Sequence, residues 1–231
     1  MKKMNYCDVP TIHSFKGHEA YNLKKIVVAM HGWSSSKLAS KIDVLAKECL
    51  KNNIGLISMD LPGHGDNTHP LTVANCVRDI GLVVNFARAF GKPVCLYGSS
   101  FGGYILANYL IATGEQFDSV ALIAPATQMH KNLLERKQVK EFQMPICEKE
   151  TTLKFINDTQ KNDIIKNAHK IKTKLDIIYA EKDTCVDNND IFEFAKLVPS
   201  NLHCVKGAEH WFKGAGELEK FIEILMKIYK A

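Results

Sequence analysis

The stretch from Val94 to Ala112 constrains the fold of this chain most, because it must pass from strand to helix within one turn. The apolar run Val94–Tyr97 predicts a buried strand, and the nearly continuous apolar run Tyr104–Ala112 predicts a buried helix. So sharp a turn strains its central residue and leaves little room for side chains two positions to either side, where Gly98 and Gly102 stand. This GxSxG pattern predicts that Ser100 is a nucleophile, although an ordinary turn between strand and helix can have the same composition.

Further apolar runs alternate with helical patterns along the chain. Strands are predicted at 26–30, 54–59, 119–124, 175–180 and 202–205. Helices are predicted at 38–50 with Leu38 on the apolar face, at 71–90, at 191–197 and around the C-terminal apolar stripe from Leu218 to Tyr229. Because strands that alternate with helices form βαβ units, we expect an α/β fold: a mostly parallel twisted sheet with helices on both faces.

Two segments depart from this alternation. Residues 11–21 alternate weakly and are interrupted by Gly17, which predicts an edge hairpin. Residues 126–173 are rich in Lys, Glu, Gln and Asn and show only a weak helical pattern, near 163–171. A long connection without strong structure of its own often covers a site, so we predict a small lid insertion here; a solvated connection with one helix is the alternative. The length fits one domain over residues 1–231.

Composition narrows the class of protein. Hydrophobic residues make up 46% of the chain and charged residues 24%, as in soluble globular proteins. The net charge of +5 comes from lysines spread along the chain, so no basic face for nucleic acid is predicted. The seven cysteines form no CxxC pair, and an odd number argues against a disulfide framework. We find no signal peptide and no membrane span, and therefore expect a cytoplasmic protein.

A nucleophilic serine needs a base and an orienting acid at neighbouring strand ends. Asp183 follows the predicted strand 175–180 and is our candidate acid, with Asp187 and Glu181 as alternatives. His210, in the loop between the last strand and the last helix, is our candidate base. The order Ser, Asp, His is the one found in α/β-hydrolases. The histidines without such a context are predicted to be surface residues; they are His13, His18, His69, His130, His169 and His203.

The tetrahedral intermediate of such a reaction carries an oxyanion, which backbone N–H groups stabilise. We expect one donor to be the N–H of Phe101, directly after the nucleophile, and the other to be the N–H of Trp33 in the loop after strand 26–30. A phosphate cradle is the alternative for that loop, but the chain has no GxxxxGK[ST] or GxGxxG pattern. Metal binding has little support, because there is no HExxH and no cluster of Cys and His.

Taken together, these motifs resemble the α/β-hydrolase superfamily of serine esterases and lipase-like enzymes, from about Lys24 to the C-terminus. The residues that carry the resemblance are His31-Gly32-Trp33, Asp60-Leu61-Pro62-Gly63-His64-Gly65, Gly98-Ser99-Ser100-Phe101-Gly102-Gly103, Asp183 with Val186, and His210. The resemblance implies the α/β-hydrolase fold and no cofactor, and the motifs give no metal site. It also implies a short lid, as in carboxylesterases of the feruloyl-esterase and monoacylglycerol-lipase kind.

The predicted function is hydrolysis of a small-molecule acyl ester through an acyl-enzyme, with Ser100, His210 and Asp183 as catalytic residues. A thioesterase, a peptidase and a carbon–carbon bond hydrolase or lyase would use the same residues and stay open, because the pocket lining sets the substrate. A non-catalytic small-molecule-binding protein is the alternative of another class, followed by a scaffold role. We predict a small-molecule substrate as the partner, no binding of nucleic acid and no membrane span.

Overall fold

A computed structural model describes residues 2–138, 149–214 and 216–230, without the side chains of 2–4, 18, 136–138 and 149–153. Its centre is an eight-stranded sheet in the order β1-β2-β4-β3-β5-β6-β7-β8. The strands are β1 Lys2–Tyr6, β2 Val9–His13, β3 Lys25–Met30, β4 Ile54–Met59, β5 Val94–Ser99, β6 Ser119–Ile123, β7 Leu175–Ala180 and β8 Ser200–Val205.

The sheet is parallel from β4 across to β8, and β1 and β2 add an antiparallel edge. In the centre, Met30 of β3 lies opposite Gly98 of β5, which lies opposite Leu122 of β6. The carboxyl ends of the parallel strands therefore meet at one edge, where ligands bind in sheets of this type. The prediction of a mostly parallel sheet is confirmed.

Helices cover both faces of the sheet. They are α1 Ser40–Lys51, α2 Val73–Arg88, α3 Phe101–Thr113, α4 Met129–Gln138, α5 Lys149–Lys161, α6 Ile164–Asn167, α7 Asn188–Leu197 and α8 Glu217–Lys230, with short 3₁₀ helices at Gly17–Asn22 and Ala168–Lys170. Strand β3 shows why both faces are apolar: Ile26, Val28 and Met30 belong to the core under α2 and α3, whereas Val27 and Ala29 belong to the core under α1 and α8. No helix in the described part of the chain is long and apolar enough to cross a membrane.

Two local predictions are wrong in position. The edge hairpin is formed by β1 and β2, ahead of the predicted segment, and the residues after Gly17 form a 3₁₀ helix instead. The cause is the strand Val9–His13, which is fully buried and pairs with β4 rather than ending in a solvated turn. Helix α1 begins at Ser40, so Leu38 lies before it, and its side chain is about half exposed instead of facing the core.

The connection between β6 and β7 contains more helix than its polar composition predicts. It holds α4 and α5, which the weak pattern near 163–171 did not indicate. Phe155 of α5 is 1% exposed and contacts the rings of Trp33 and Phe101, so a few apolar residues anchor an otherwise polar segment. Residues 139–148 lie outside the described residues, and the lid interpretation of 126–173 stays a prediction.

The turn from β5 to α3 allows no side chain at two of its glycines. A Cβ on Gly98 would lie 2.7 Å from the carbonyl oxygen of Gly102, and one on Gly102 would lie 2.5 Å from that of His31 and 2.6 Å from that of Met30. These are backbone atoms, which cannot rotate away as a side chain could. The turn can therefore form only if both positions are glycine, as the sequence predicts.

We expect Gly102→Ala to lower the free energy of unfolding by about 2 kcal/mol or more, because the new methyl group forces the backbone of α3 away from β3. Gly81→Ala is the matched control: it lies inside α2, its Cβ would meet only a Tyr109 ring atom at 3.6 Å, and alanine favours a helix by up to about 1 kcal/mol. Urea denaturation checks both. Equal stability of Gly102→Ala and wild type would contradict the close-packing argument.

Candidate active site

Ser100 stands at the tip of the strand-to-helix turn in a backbone conformation that is rare outside glycine. Its φ is 53° and its ψ is −113°. Three backbone hydrogen bonds hold it there: its N–H donates to Ile123 at 2.8 Å, and its carbonyl accepts from Tyr104 and from Ala126, each at 3.1 Å. These hydrogen bonds maintain the strained backbone and thereby fix the position from which the Ser100 side chain extends at the carboxyl end of the sheet.

His210 and Asp183 lie in line with this hydroxyl. His210 Nε2 is 3.1 Å from Ser100 Oγ, and His210 Nδ1 is 2.7 Å from Asp183 Oδ2. Because an ionised carboxylate can only accept, the imidazole Nδ1–H donates to Asp183 and Nε2 is left to accept from the serine hydroxyl. The structure thus brings together the three side chains singled out in the sequence, although they come from the ends of three different strands.

Asp183 is held as a carboxylate by its surroundings. Its Oδ1 accepts from the N–H groups of Cys185 at 2.8 Å and Val186 at 2.9 Å, and its side chain is fully buried. Burial alone would raise the pKa of Asp183, but the bonds from His210 and from these two N–H groups outweigh it and hold the pKa below its usual value. A buried acceptor therefore stays charged beneath the imidazole.

The two alternative acids have other partners. Asp187 accepts from the N–H of Asn189 at 2.9 Å and is the N-cap of α7. Glu181 is exposed and accepts from the N–H of Gly207 at 2.8 Å. Both shape the loops at the ends of β7 and β8, and Asp183 alone of the three is bonded to His210 in the described structure.

The loop after β3 is oriented by His31. The His31 Nδ1–H donates to the carbonyl of Gly32 at 2.7 Å, while Nε2 accepts from the N–H of Leu61 at 3.1 Å. Because a trans peptide points its C=O and N–H in opposite directions, fixing the Gly32 carbonyl also fixes the direction of the Trp33 N–H, away from His31. Gly32 adjoins Ser100: a Cβ placed on Gly32 would lie 3.6 Å from Ser100 Cβ.

Phe101 is the first residue of α3, so its N–H has no carbonyl partner within the helix. The positive end of the helix dipole is at this terminus and favours negative charge next to Ser100. Aromatic packing keeps the two candidate donors near each other, since the rings of Trp33 and Phe101 are 5.0 Å apart and His64 stacks on Phe101 at 5.5 Å.

Two recesses meet at Ser100. One is a cavity of about 440 Å³ lined by the loop after β3, the first turn of α1, His210 and the residues after it; its side chains include Trp33, Ser34, Lys41, Trp211 and Lys213. The other is a small apolar pocket of about 20 Å³ lined by Phe101, Ala126, Met129, Asn132, Leu133 and Val186. Both recesses are also lined by Trp33, Ser100 and Cys185, so a molecule held at Ser100 can reach either of them.

Cys185, Lys41 and Lys213 are site residues that the sequence did not reveal. One ligand atom each of Asp183, Cys185 and His210 lies within 4.8 Å of the others, so these three could hold a metal ion. A metal would have to replace the bond from His210 to Asp183 or to Ser100. The spacing of these residues in the sequence matches no metal-binding motif, because Asp183 and Cys185 are two residues apart and His210 follows another strand.

The remaining histidines are not all surface residues. His13 was wrongly placed at the surface: it is 4% exposed and its Nε2 lies 3.2 Å from the Thr11 hydroxyl on a strand that is buried throughout. His69, His130 and His203 are partly buried and bonded to neighbouring elements, and His169 is exposed. The side chain of His18 lies outside the described residues.

Comparison with known proteins identifies the family of this chain. A family model described as serine aminopeptidase, S33, matches residues 21–151, which include Trp33, Ser100 and Phe101 but neither Asp183 nor His210. Monoacylglycerol lipase ABHD6 of Mus musculus is 27% identical over 123 residues, or 52% of this chain and 35% of that protein. Protein ABHD12B of Homo sapiens is 31% identical over 109 residues, 45% of this chain and 30% of that protein. This chain thus spans only about a third of the length of these relatives.

Solved structures match the whole chain. Est1E from Butyrivibrio proteoclasticus, with ferulic acid bound, has a TM-score of 0.79 at 13% identity and full coverage of both chains. Alpha/beta hydrolase domain-containing protein 10 from mouse has a TM-score of 0.78 at 16% identity, covering 99% of this chain and 98% of that one. Identity this low establishes a shared fold.

The buried His31 leads to a prediction about acid stability. Burial, together with the nearby His64, lowers the pKa of His31 from 6.5 to about 4. Below pH 6.5 the unfolded chain therefore takes up a proton that the folded chain refuses, and stability falls by about 3 kcal/mol at most as the pH drops from 6.5 through 4. We expect the urea midpoint to fall over this range, and to fall less in His31→Gln, which has no imidazole to titrate.

Nuclear magnetic resonance gives the direct measurement. The His31 ring signals should keep their neutral shifts down to about pH 5. Titration of this ring at pH 6.5 or above, or the same pH dependence of the urea midpoint in wild type and His31→Gln, would contradict the assignment.

Proposed function

The chain belongs to the hydrolase family described as serine aminopeptidase, S33, and has the α/β-hydrolase fold; on this premise we propose that it hydrolyses carboxylic esters through an acyl-enzyme. The observation that carries the proposal is the line of hydrogen bonds from Asp183 through His210 to Ser100, at 2.7 and 3.1 Å. In the proposed mechanism His210 Nε2 takes the Ser100 proton as Oγ attacks the ester carbonyl. Asp183 stabilises the imidazolium that forms.

The negative charge on the tetrahedral intermediate is assigned to the N–H groups of Phe101 and Trp33. The start of α3 and the peptide oriented by His31 support this assignment. His210 then returns its proton to the leaving alcohol, and a water molecule activated by the same imidazole releases the acid from Ser100. No step of this sequence requires a metal or a cofactor.

Ester hydrolysis is proposed ahead of the aminopeptidase activity in the family's description. An aminopeptidase must hold the ammonium group of its substrate's N-terminus, which favours a carboxylate in the pocket. Among the described residues, the side chains that line the large cavity include lysines and serines but no Asp or Glu. The matched relatives named as monoacylglycerol lipases and the neighbour named as an esterase agree with an ester substrate.

Other functions remain alternatives. A thioesterase or a carbon–carbon bond hydrolase would use the same three side chains. A non-catalytic binding protein is disfavoured by the hydrogen-bonded serine and histidine, which binding alone does not need. We also propose that 126–173 acts as a lid, since Phe155 packs on Trp33. We propose that the protein is cytoplasmic, since none of the six described cysteines forms a disulfide.

Replacement of the nucleophile tests the reaction class. We expect Ser100→Ala to lower kcat for p-nitrophenyl acetate by roughly a thousandfold or more, and to abolish labelling by a fluorophosphonate probe, because no hydroxyl is left to attack. Ser200→Ala, at the start of β8, is the control and should keep both. Retention of more than a few per cent of wild-type turnover in Ser100→Ala would refute the proposal.

A second pair of variants separates Asp183 from its neighbour in the same loop. Asp183→Asn should lower kcat by roughly a hundredfold or more, because an amide cannot stabilise the imidazolium and can enforce the wrong tautomer of His210. Asp187→Asn should stay within a few fold of wild type, because asparagine is an equally good N-cap for α7. Steady-state kinetics with the same ester measures both. Similar losses in the two variants would point to loop structure instead of a specific acid.

A further inference from the structure

The large cavity beside Ser100 carries positive charge. Lys41, in the first turn of α1, and Lys213, three residues after His210, both line it. Neither lysine forms an ion pair with a carboxylate among the described residues, whereas Asp43 of the same turn of α1 pairs with Lys47. Hydroxyl groups of Ser34 and Ser40 line the same space.

Lys41 is not a solvated surface lysine. Its side chain is partly buried and its Nζ lies 5.2 Å from the centre of the Phe212 ring, so the ring offers a weak partner to the cation. Burial lowers the pKa of Lys41 to about 8. The negative charge of Asp183 opposes this shift, and the positive charge of Lys213 adds to it. The side chain is therefore still mainly charged at neutral pH, and a cation held this way gains from an anionic partner in the cavity.

An ester has an acyl arm and an alcohol arm on the two sides of its ester bond. The position of His210 indicates which of these arms enters the large cavity. In the proposed reaction His210 must return a proton to the leaving oxygen, so the leaving alcohol lies on its side of Ser100. His210 and Trp211 line the large cavity but not the small recess, whose lining is mainly apolar and includes Met129 and Leu133. The small recess has room for about one water-sized group, so only the shortest acyl groups, such as acetyl, are expected there.

We propose that the substrate is an ester of a short acyl group with an alcohol that carries an anionic group, which Lys41 and Lys213 recognise. This inference rests on the proposed function and specifies its substrate class. The shared chemistry is a carboxylate or phosphate a few bonds from the ester oxygen. Lys41, buried beside Phe212, is expected to contribute more than the exposed Lys213, because solvent screens an exposed cation.

The test compares two acetate esters, 4-acetoxybenzoate and its methyl ester, which differ in charge on the alcohol arm. We expect the ratio of kcat/KM for the charged ester to that for the neutral ester to fall about tenfold or more in Lys41→Met, the effect of one hydrogen bond to a charged group. The fall should be smaller in Lys213→Met. Intrinsic differences in reactivity between the esters cancel in this comparison of ratios.

Matched controls separate the specific effect from loss of structure. Lys47→Met removes the same charge from an exposed position of α1 and should leave the ratio unchanged. Lys41→Arg keeps the charge and should restore most of the ratio. An equal ratio in wild type and Lys41→Met would overturn the proposal. A lysine-dependent ratio for esters with the carboxylate on the acyl arm, such as the mono-p-nitrophenyl ester of adipic acid, would overturn the assignment of arms.

A binding experiment keeps this inference separate from the proposed function. Ser100→Ala should bind 4-hydroxybenzoate more tightly than methyl 4-hydroxybenzoate in calorimetry, and adding Lys41→Met should remove that preference. If wild type cleaves no ester yet this preference is found, the proposed function fails and anion recognition stands. If no preference is found, anion recognition fails whatever the esterase activity.

Discussion

The contact between the turn at Ser100 and the end of β3 determines the rest of this site. Gly102 lies so close to the carbonyl groups of Met30 and His31 that no side chain fits between them. The same contact therefore packs helix α3 on the central strand and places Ser100 beside the loop that follows that strand. Backbone packing thus brings the proposed nucleophile and the proposed oxyanion-binding peptide together, whatever side chains surround them.

Hydrogen bonds from buried groups then orient the groups to which the proposed mechanism assigns a role. His31 sets the orientation of the Gly32–Trp33 peptide, and Asp183 sets the ring of His210. Farther along the loop, Lys37 is 2% exposed and bonded to the fully buried Asp60, which ties the loop after β3 to the loop after β4. Hydrogen bonds between groups buried in this way are stronger than bonds exposed to water, so each of them helps to fix the loops around Ser100.

The parts of this arrangement that depend on backbone geometry were predictable from the sequence. Glycines around Ser100, apolar runs on both faces of the sheet and polar residues directly after strands each have a local signature, and they led to Ser100, Asp183 and His210. The first-turn position of Lys41 and the buried position of His13 have none, because they depend on which element packs against which. Phe155 was missed for the same reason: one aromatic residue anchors a helix in a segment whose composition is polar.

The difference between features set by backbone geometry and features set by packing also explains why the reaction class is easier to infer than the substrate. The bonds that align Ser100, His210 and Asp183 connect the ends of neighbouring strands, and they would be the same for any acyl group. The cavity, by contrast, is lined by side chains of α1 and of the loop after β8, which can change without altering the sheet. In that lining neither Lys41 nor Lys213 has a carboxylate within ion-pair distance among the described residues, and burial of Lys41 disfavours its charge, an effect that Asp183 offsets only in part. The anionic leaving group proposed above would supply the counter-charge that this cavity lacks.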